Sequence, residues 1–221
     1  MNKFSVIITA GGIGKRMGGD LPKQFLELNN LPMLMHTIRI FHDFDSSAQL
    51  ILTLPAEWQE YWATLCAKHQ FNLPHQVVEG GKERYHSIQN ALNNCEGEYI
   101  AIHDGVRPLV DQKTLMNCWK GVLEFDAVIP VLDLKESLRK VEENQSMAVN
   151  RSEFRIVQTP QCFKKEILLV AYQKSFHEGI TDDASLVEEA GYVIHLVEGN
   201  EQNIKITTPT DLRFADFLLR S

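Results

Sequence analysis

Residues able to bind and polarise phosphate gather at a few points of the 221-residue sequence. From Ala10 to Lys23 the chain reads A-G-G-I-G-K-R-M-G-G-D-L-P-K. Gly11, Gly12 and Gly14 let backbone N–H groups turn inward with no Cβ in the way, so the loop can form a nest for phosphate oxygens. Lys15, Arg16 and Lys23 add three cations that could neutralise a polyphosphate. Pro22 fixes the backbone ahead of Lys23, which suits a side chain that must be positioned and not merely charged. The loop is not a Walker sequence, because Arg16 follows Lys15, and G-x-G-x-x-G is matched only loosely from Gly12 to Gly14. Alone it is compatible with a strand-to-helix turn carrying solvated cations.

A second stretch, Glu79-Gly80-Gly81-Lys82-Glu83-Arg84, again sets glycines, a Lys and an Arg at the start of a helix expected near Ser87. Ser87 reads equally as a helix N-cap or as a ligand contact at a strand-end crevice. The third stretch, His103-Asp104-Gly105-Val106-Arg107-Pro108, puts a carboxylate at the end of a strand. Asp104 suits Mg²⁺, which needs only one or two protein carboxylates when substrate phosphates complete its shell. Arg107 could grip a phosphate bidentately. The alternative for this segment is a salt-bridged turn, and His103 is expected to pack at the strand end and not to act as a ligand.

These segments need elements to hold them. Val6–Ile8 is a short β-branched run of the kind buried in parallel sheets. Further strands are expected at Gln49–Leu54, Gln76–Val78, Tyr99–Ile102, Ala127–Val131 and Val193–Glu198, with the chain returning through 156–161. Helical spacing predicts Met33–Phe44, Glu57–His69, Gln112–Phe125 and Lys164–Phe176, one helix capped by Thr181, and a last one opening at Thr208-Pro209-Thr210-Asp211. Trp58, Tyr61, Trp62 and Leu65 share a face and read as core packing. The alternation predicts an α/β fold with a mostly parallel, doubly wound sheet in a single domain spanning 1–221. Residues 134–151 break the rhythm. They read as a projecting β-hairpin, and since exposed hairpins need a partner, as a homodimerisation arm.

Composition limits the function classes. The net charge is −7, which argues against a nucleic-acid surface, while focused cations can still attract a small anion. No apolar run is long enough to span a membrane, and Met1-Asn2-Lys3 leads straight into a strand, so a cytoplasmic protein is expected. Cys66, Cys95, Cys118 and Cys162 lack metal or redox spacing and read as reduced, packed residues.

In order along the chain stand A-G-G-x-G-x-R-M-G at 10–18, P-K-Q at 22–24, G-G-x-x-R-x-x-S at 80–87, H-D-x-x-R-P at 103–108, Q-T-P-Q at 158–161, T-D-D-A-S at 181–185 and N-I-K-I-T-x-P-x-D-L at 203–212. This succession resembles the Rossmann-like nucleotidyltransferases that couple a polyol phosphate to a nucleoside triphosphate, and most of all the 2-C-methyl-D-erythritol 4-phosphate cytidylyltransferase family. The resemblance implies that CTP lies along the first loop, with backbone groups of Ala10, Gly11 and Gly81 and the Ser87 hydroxyl around the cytidine. It implies that Gly12, Gly14 and Lys15 line the nucleotide, with Arg16 and Lys23 as the catalytic cations at the triphosphate. Asp104 would hold Mg²⁺, and Arg107 and Lys205 would grip the sugar-alcohol phosphate. The arm would bring Arg151 into the neighbouring site of a homodimer. The family's usual V-x-D-T-x-K is here V-L-D-L-K-E-S-L-R, which puts the acceptor's hydroxyl contact on Ser137, and H-D-G-V stands where H-D-A-A is commoner. Ribitol 5-phosphate cytidylyltransferases share several of these motifs, but Asn150-Arg151-Ser152 and T-D-D-A-S look more like the methylerythritol enzymes. A non-catalytic nucleotide sensor on the same fold is the rival of another class. Arg16, Lys23 and Asp104 together argue against it.

Overall fold

The computed structural model describes residues 3–12, 21–143 and 145–220. Its first strand, β1 (Phe4–Thr9), is followed by a small hairpin of β2 (Glu27–Leu28) and β3 (Leu31–Pro32), then α1 (Met33–Phe44), β4 (Gln49–Leu54), α2 (Ala56–Lys68) and β5 (Gln76–Glu79). The middle of the chain forms α3 (Arg84–Leu92), β6 (Tyr99–Asp104), α4 (Gln112–Phe125) and β7 (Ala127–Asp133). An exposed hairpin follows, β8 (Leu138–Glu142) and β9 (Gln145–Val149). Then come β10 (Arg155–Val157), β11 (Gln161–Lys164), α5 (Lys165–Ala171), α6 (Asp183–Glu189), β12 (His195–Glu198) and α7 (Pro209–Arg220).

The main sheet has eight strands in the order β10-β7-β11-β6-β1-β4-β5, with β12 also on β7. β1 runs parallel to β4 and β6, and β5 parallel to β4, so the ends of β1, β5 and β6 open on one edge. Strand alternation splits the core in two. Val6, Ile8, Leu52 and Ala101 face a cluster that includes Leu34, Ile38 and Phe41 of α1, Trp62 of α2 and Leu115 and Trp119 of α4. Ile7, Ile51, Ile100 and Ile102 face the opposite cluster, with Ile88 of α3, Leu168 of α5 and Leu186 of α6. Both sheet faces are thus covered by helices, which explains the continuous apolar runs of β1 and β4. The aromatic face of α2 packs as core: Trp62 and Leu65 are buried, and Phe25 meets the Trp58, Tyr61 and Trp62 rings.

Several local expectations change. α3 starts at Arg84, with Glu83 at its N-cap, so Ser87 is inside the helix and is not its cap. α6 is capped by Asp182, whose carboxylate accepts from the Ser185 N–H at 2.9 Å, and not by Thr181. The helix expected at 164–176 is shorter at both ends: Lys164 closes β11, which is antiparallel to both β6 and β7, and α5 stops at Ala171 with Tyr172 as its C-cap. β10 and β11 both run against β7, yet four residues lie between Val157 and Cys162 while two lie between their partners Val131 and Val128. The surplus at Gln158–Pro160 bulges out of the ladder, and a cis peptide joins Thr159 to Pro160. The arm is a hairpin as expected. Among the described residues β8 and β9 pair only with each other, and Val141 and Met147 are exposed. The four cysteines are free thiols.

Candidate active site

Three strand ends build one cleft of about 600 Å³, bordered by Ala10, Gly11 and Gly12 after β1, by Gly81 and Ser87 beyond β5, and by Asp104 at the end of β6. The Ala10 N–H donates to the Thr53 carbonyl at 3.1 Å, and the Gln24 amide donates to the Ala10 carbonyl at 2.7 Å, which fixes where the loop leaves the sheet. Lys23 opens a single 3-10 turn (Lys23–Phe25) and also borders the cleft; a Cβ on Gly12 would lie 3.6 Å from its Cε. The Gly81 N–H donates to Ser87 Oγ at 3.0 Å, and that hydroxyl in turn donates to the Glu83 carbonyl at 3.2 Å. A Cβ on Gly81 would come within 2.3 Å of the His86 Cβ, so the turn into α3 requires glycine there. Gly14, Lys15 and Arg16 lie outside the described residues.

A second hollow of about 330 Å³ adjoins the first and is bordered by Arg107, Gln158, Thr159, Gln161 and Thr181. Arg84, Asp104 and Lys205 border both hollows. Asp104 is the centre of charge. Its Oδ2 lies 3.1 Å from Arg107 Nε and 3.1 Å from Lys205 Nζ, and its Oδ1 lies 3.6 Å from Arg84 Nε. Burial alone would raise the Asp104 pKa; Arg84, Lys205 and Arg107 outweigh it and hold the carboxyl well below the ordinary range.

The surrounding loops are tied together behind these charges. Arg107 Nη1 donates to the Asn203 carbonyl at 2.8 Å, Asn203 Nδ2 donates to the Thr159 carbonyl at 2.8 Å, and the Ile206 N–H reaches the Val106 carbonyl at 2.9 Å. The N-I-K-I segment thereby lies alongside the Asp104–Arg107 turn and presents Lys205. His103 is buried and packed, as expected of a strand-end residue. Burial pushes its pKa down to about 4, so the ring is neutral. Nε2–H then donates to the Arg107 carbonyl and Nδ1 accepts from the Thr159 hydroxyl, both at 3.0 Å. Thr159 Oγ1 also accepts from the Asp104 N–H at 3.2 Å, so the bulge after β10 braces the carboxylate's backbone.

Among the described residues no three His, Cys, Asp or Glu side chains converge as a metal site. Asp104 is a single hard oxygen donor already facing three cations. That donor set fits a Mg²⁺ that arrives with phosphate oxygens, and does not fit one held by protein alone.

Ser137 and Arg151 stand apart from this cluster. Both are exposed at the root of the hairpin, Ser137 just ahead of β8 and Arg151 just after β9, where its guanidinium donates to the Lys135 carbonyl. Neither borders the two hollows. The sequence reading missed Arg84 as a cleft residue, along with Gln158, Thr159, Gln161 and Thr181; its only signal for them was their place inside G-G-x-x-R-x-x-S, Q-T-P-Q and T-D-D-A-S.

Known proteins bear on this geometry. Residues 4–221 match the family described as IspD, 2-C-methyl-D-erythritol 4-phosphate cytidylyltransferase. A protein of that name from Bacteroides thetaiotaomicron is 47% identical over 98% of this chain and 100% of its own length, and one from Phocaeicola vulgatus is 46% identical over 99% and 100%. Among solved structures, 2-C-methyl-D-erythritol 4-phosphate cytidylyltransferase from Thermus thermophilus superposes with a TM-score of 0.82 at 30% identity, covering 100% of both chains. The 4-diphosphocytidyl-2C-methyl-D-erythritol synthase from Anaerococcus prevotii gives 0.84 at 25% identity, covering 99% and 98%. With the motifs in order, the cleft at the strand ends and this match over nearly the whole length, the chain belongs to the 2-C-methyl-D-erythritol 4-phosphate cytidylyltransferase family.

Proposed function

We infer that this protein transfers CMP from CTP to 2-C-methyl-D-erythritol 4-phosphate, giving 4-diphosphocytidyl-2-C-methyl-D-erythritol and pyrophosphate for isoprenoid precursor synthesis. The observation that carries the site assignment is the shared wall of Arg84, Asp104 and Lys205 between two adjoining hollows. The larger, with its glycine turns, suits the nucleotide; the smaller, with Arg107 and Lys205, suits the acceptor phosphate. An oxygen of that phosphate attacks the α-phosphorus of CTP in line, a new P–O bond forms, and the bond to the β-phosphate breaks. No general base is needed, because the phosphate nucleophile is already ionised near neutral pH.

Both reactants are anions, so repulsion is the first obstacle. Arg16 and Lys23, with Lys15, offset it at the triphosphate, where charge develops in the transition state. Backbone groups of Ala10, Gly11, Gly12, Gly14 and Gly81 and the Ser87 hydroxyl hold the nucleotide. Asp104 would hold a Mg²⁺ that arrives with the nucleotide, and that ion would neutralise charge on the phosphates. Arg151, with Ser137 beside it, serves the acceptor site of a second copy in a homodimer formed through the arm; the unpartnered hairpin supports that reading.

The test is pyrophosphate release with CTP and Mg²⁺, run side by side with methylerythritol 4-phosphate and ribitol 5-phosphate. Turnover is expected with the first acceptor. Turnover with ribitol 5-phosphate alone would keep the chemistry and replace the acceptor, and silence with both would overturn the proposal.

A further inference from the structure

Resting on the assignment of the two compartments above, we propose that Arg84, pinned by the buried carboxylate of Asp183, is a positioning residue that holds Asp104 at the boundary between nucleotide and acceptor. Arg84 bridges two acids. Its Nη2 donates to Asp183 Oδ2 at 2.7 Å while its Nε lies 3.6 Å from Asp104 Oδ1. Asp183 is only 1% exposed and has no freedom to follow a ligand. The Tyr172 hydroxyl donates to its Oδ1 at 2.7 Å, and its backbone N–H donates to Gln161 Oε1 at 3.1 Å. Tyr172 is itself buried and stacked on Tyr85, with ring centroids 4.9 Å apart.

The arrangement separates the three cations around Asp104 by freedom of movement. Lys205 is a partly exposed ammonium on a flexible stem, free to turn to an acceptor phosphate. Arg107 faces that same hollow. When Lys205 turns to the acceptor, Asp104 Oδ2 loses that neighbour, while Arg107 stays, held through its Nη1 by the Asn203 carbonyl at 2.8 Å, and Arg84, the cation at Oδ1, stays as well. A charge-assisted bond to a buried, fully hydrogen-bonded carboxylate holds it in place. Lysine cannot replace it, since one ammonium lacks the planar fork that reaches both acids. Asp183 therefore acts on the reaction through Arg84 without bordering the two hollows itself.

Steady-state kinetics on Asp183→Asn, Arg84→Lys and the double variant, with Arg107→Ala as control and Tm recorded for each, test this. Each single variant is expected to lower kcat about tenfold or more while leaving KM for CTP within about twofold, and the double to match Arg84→Lys within about twofold, because the two side chains act as one unit. Wild-type kcat in folded Asp183→Asn or in Arg84→Lys, or losses that multiply in the double variant, would overturn the proposal. Arg107→Ala separates the levels. Its impairment beside unimpaired Asp183 and Arg84 variants would leave the compartments standing and remove only the positioning role, whereas wild-type activity in all of them would remove the compartments too. If Asp183→Asn fails to fold, Arg84→Lys, at the cleft wall, still decides.

Discussion

Single side chains here do two separable jobs, holding loops and presenting charge, and Asp211 is a clean case of the first. Its Oδ2 accepts from the N–H groups of Thr207 and Thr208, both at 2.8 Å, and from the Thr207 hydroxyl at 3.0 Å. Its own N–H returns to Thr208 Oγ1 at 3.2 Å, so the start of α7 is closed reciprocally just after the segment that carries Lys205. Partial burial would raise the Asp211 pKa, and the donors from Thr207 and Thr208 outweigh it and lower it. A carboxyl depressed in the folded state adds stability that is full above its unfolded pKa and is lost as pH falls through the folded value. Asp211→Ala is therefore expected to cost about 1 kcal/mol at pH 7, with the gap to wild type closing as the pH drops below about 4. Thermal melts of both proteins across that range measure it; a gap independent of pH would show that the carboxylate's charge contributes nothing.

At the scale of elements, the hairpin β8–β9 stands out among the described residues as a sheet of its own with exposed apolar side chains. Among the described residues it pairs with no other strand, it exposes Val141 and Met147, and it carries Ser137 and Arg151 at its root outside the two hollows. The proposed second copy, covering the hairpin and taking Arg151 into its own cleft, would account for all three. Mixing an Asp104→Asn chain with an Arg151→Ala chain is then expected to restore about one working site in each heterodimer, because exchange reunites intact halves. No recovery after exchange proven by mass would contradict a shared site. The elements legible in the sequence were those with a strong period and clear punctuation: α1 and α4 fall on their expected bounds, and β4 ends at Pro55 as read. β11 was not legible, because Gln161–Lys164 carries one short apolar pair after a proline and owes its strand form to the β6 and β7 edges on either side. The cap of α6 shifted by one residue because Thr181 and Asp182 are both good caps, and only the fold decides which reaches Ser185.

Over the whole molecule, motifs distant in sequence meet because a parallel sheet gathers its strand ends. Asp104, Arg84, Arg107 and Lys205 come from three motifs, with Arg84 and Lys205 121 positions apart, and each is visible in the sequence as a charged residue within its motif. What was not legible was their mutual pairing. Asp183 is the first-turn acid of α6 that the sequence suggests, and no spacing rule could reveal that it is also buried against Arg84. On the proposed assignment, the molecule joins a glycine-lined cleft for the nucleotide to a cation-rich hollow for the acceptor across one carboxylate, and transfer of a nucleotidyl group is the chemistry that uses both. The most direct test is to supply CTP labelled at the α-phosphorus, with Mg²⁺ and methylerythritol 4-phosphate, and to follow the label. One labelled diphosphocytidyl product for each unlabelled pyrophosphate is the expected result; label released as free CMP, or retained in CTP while the acceptor is consumed, would contradict CMP transfer.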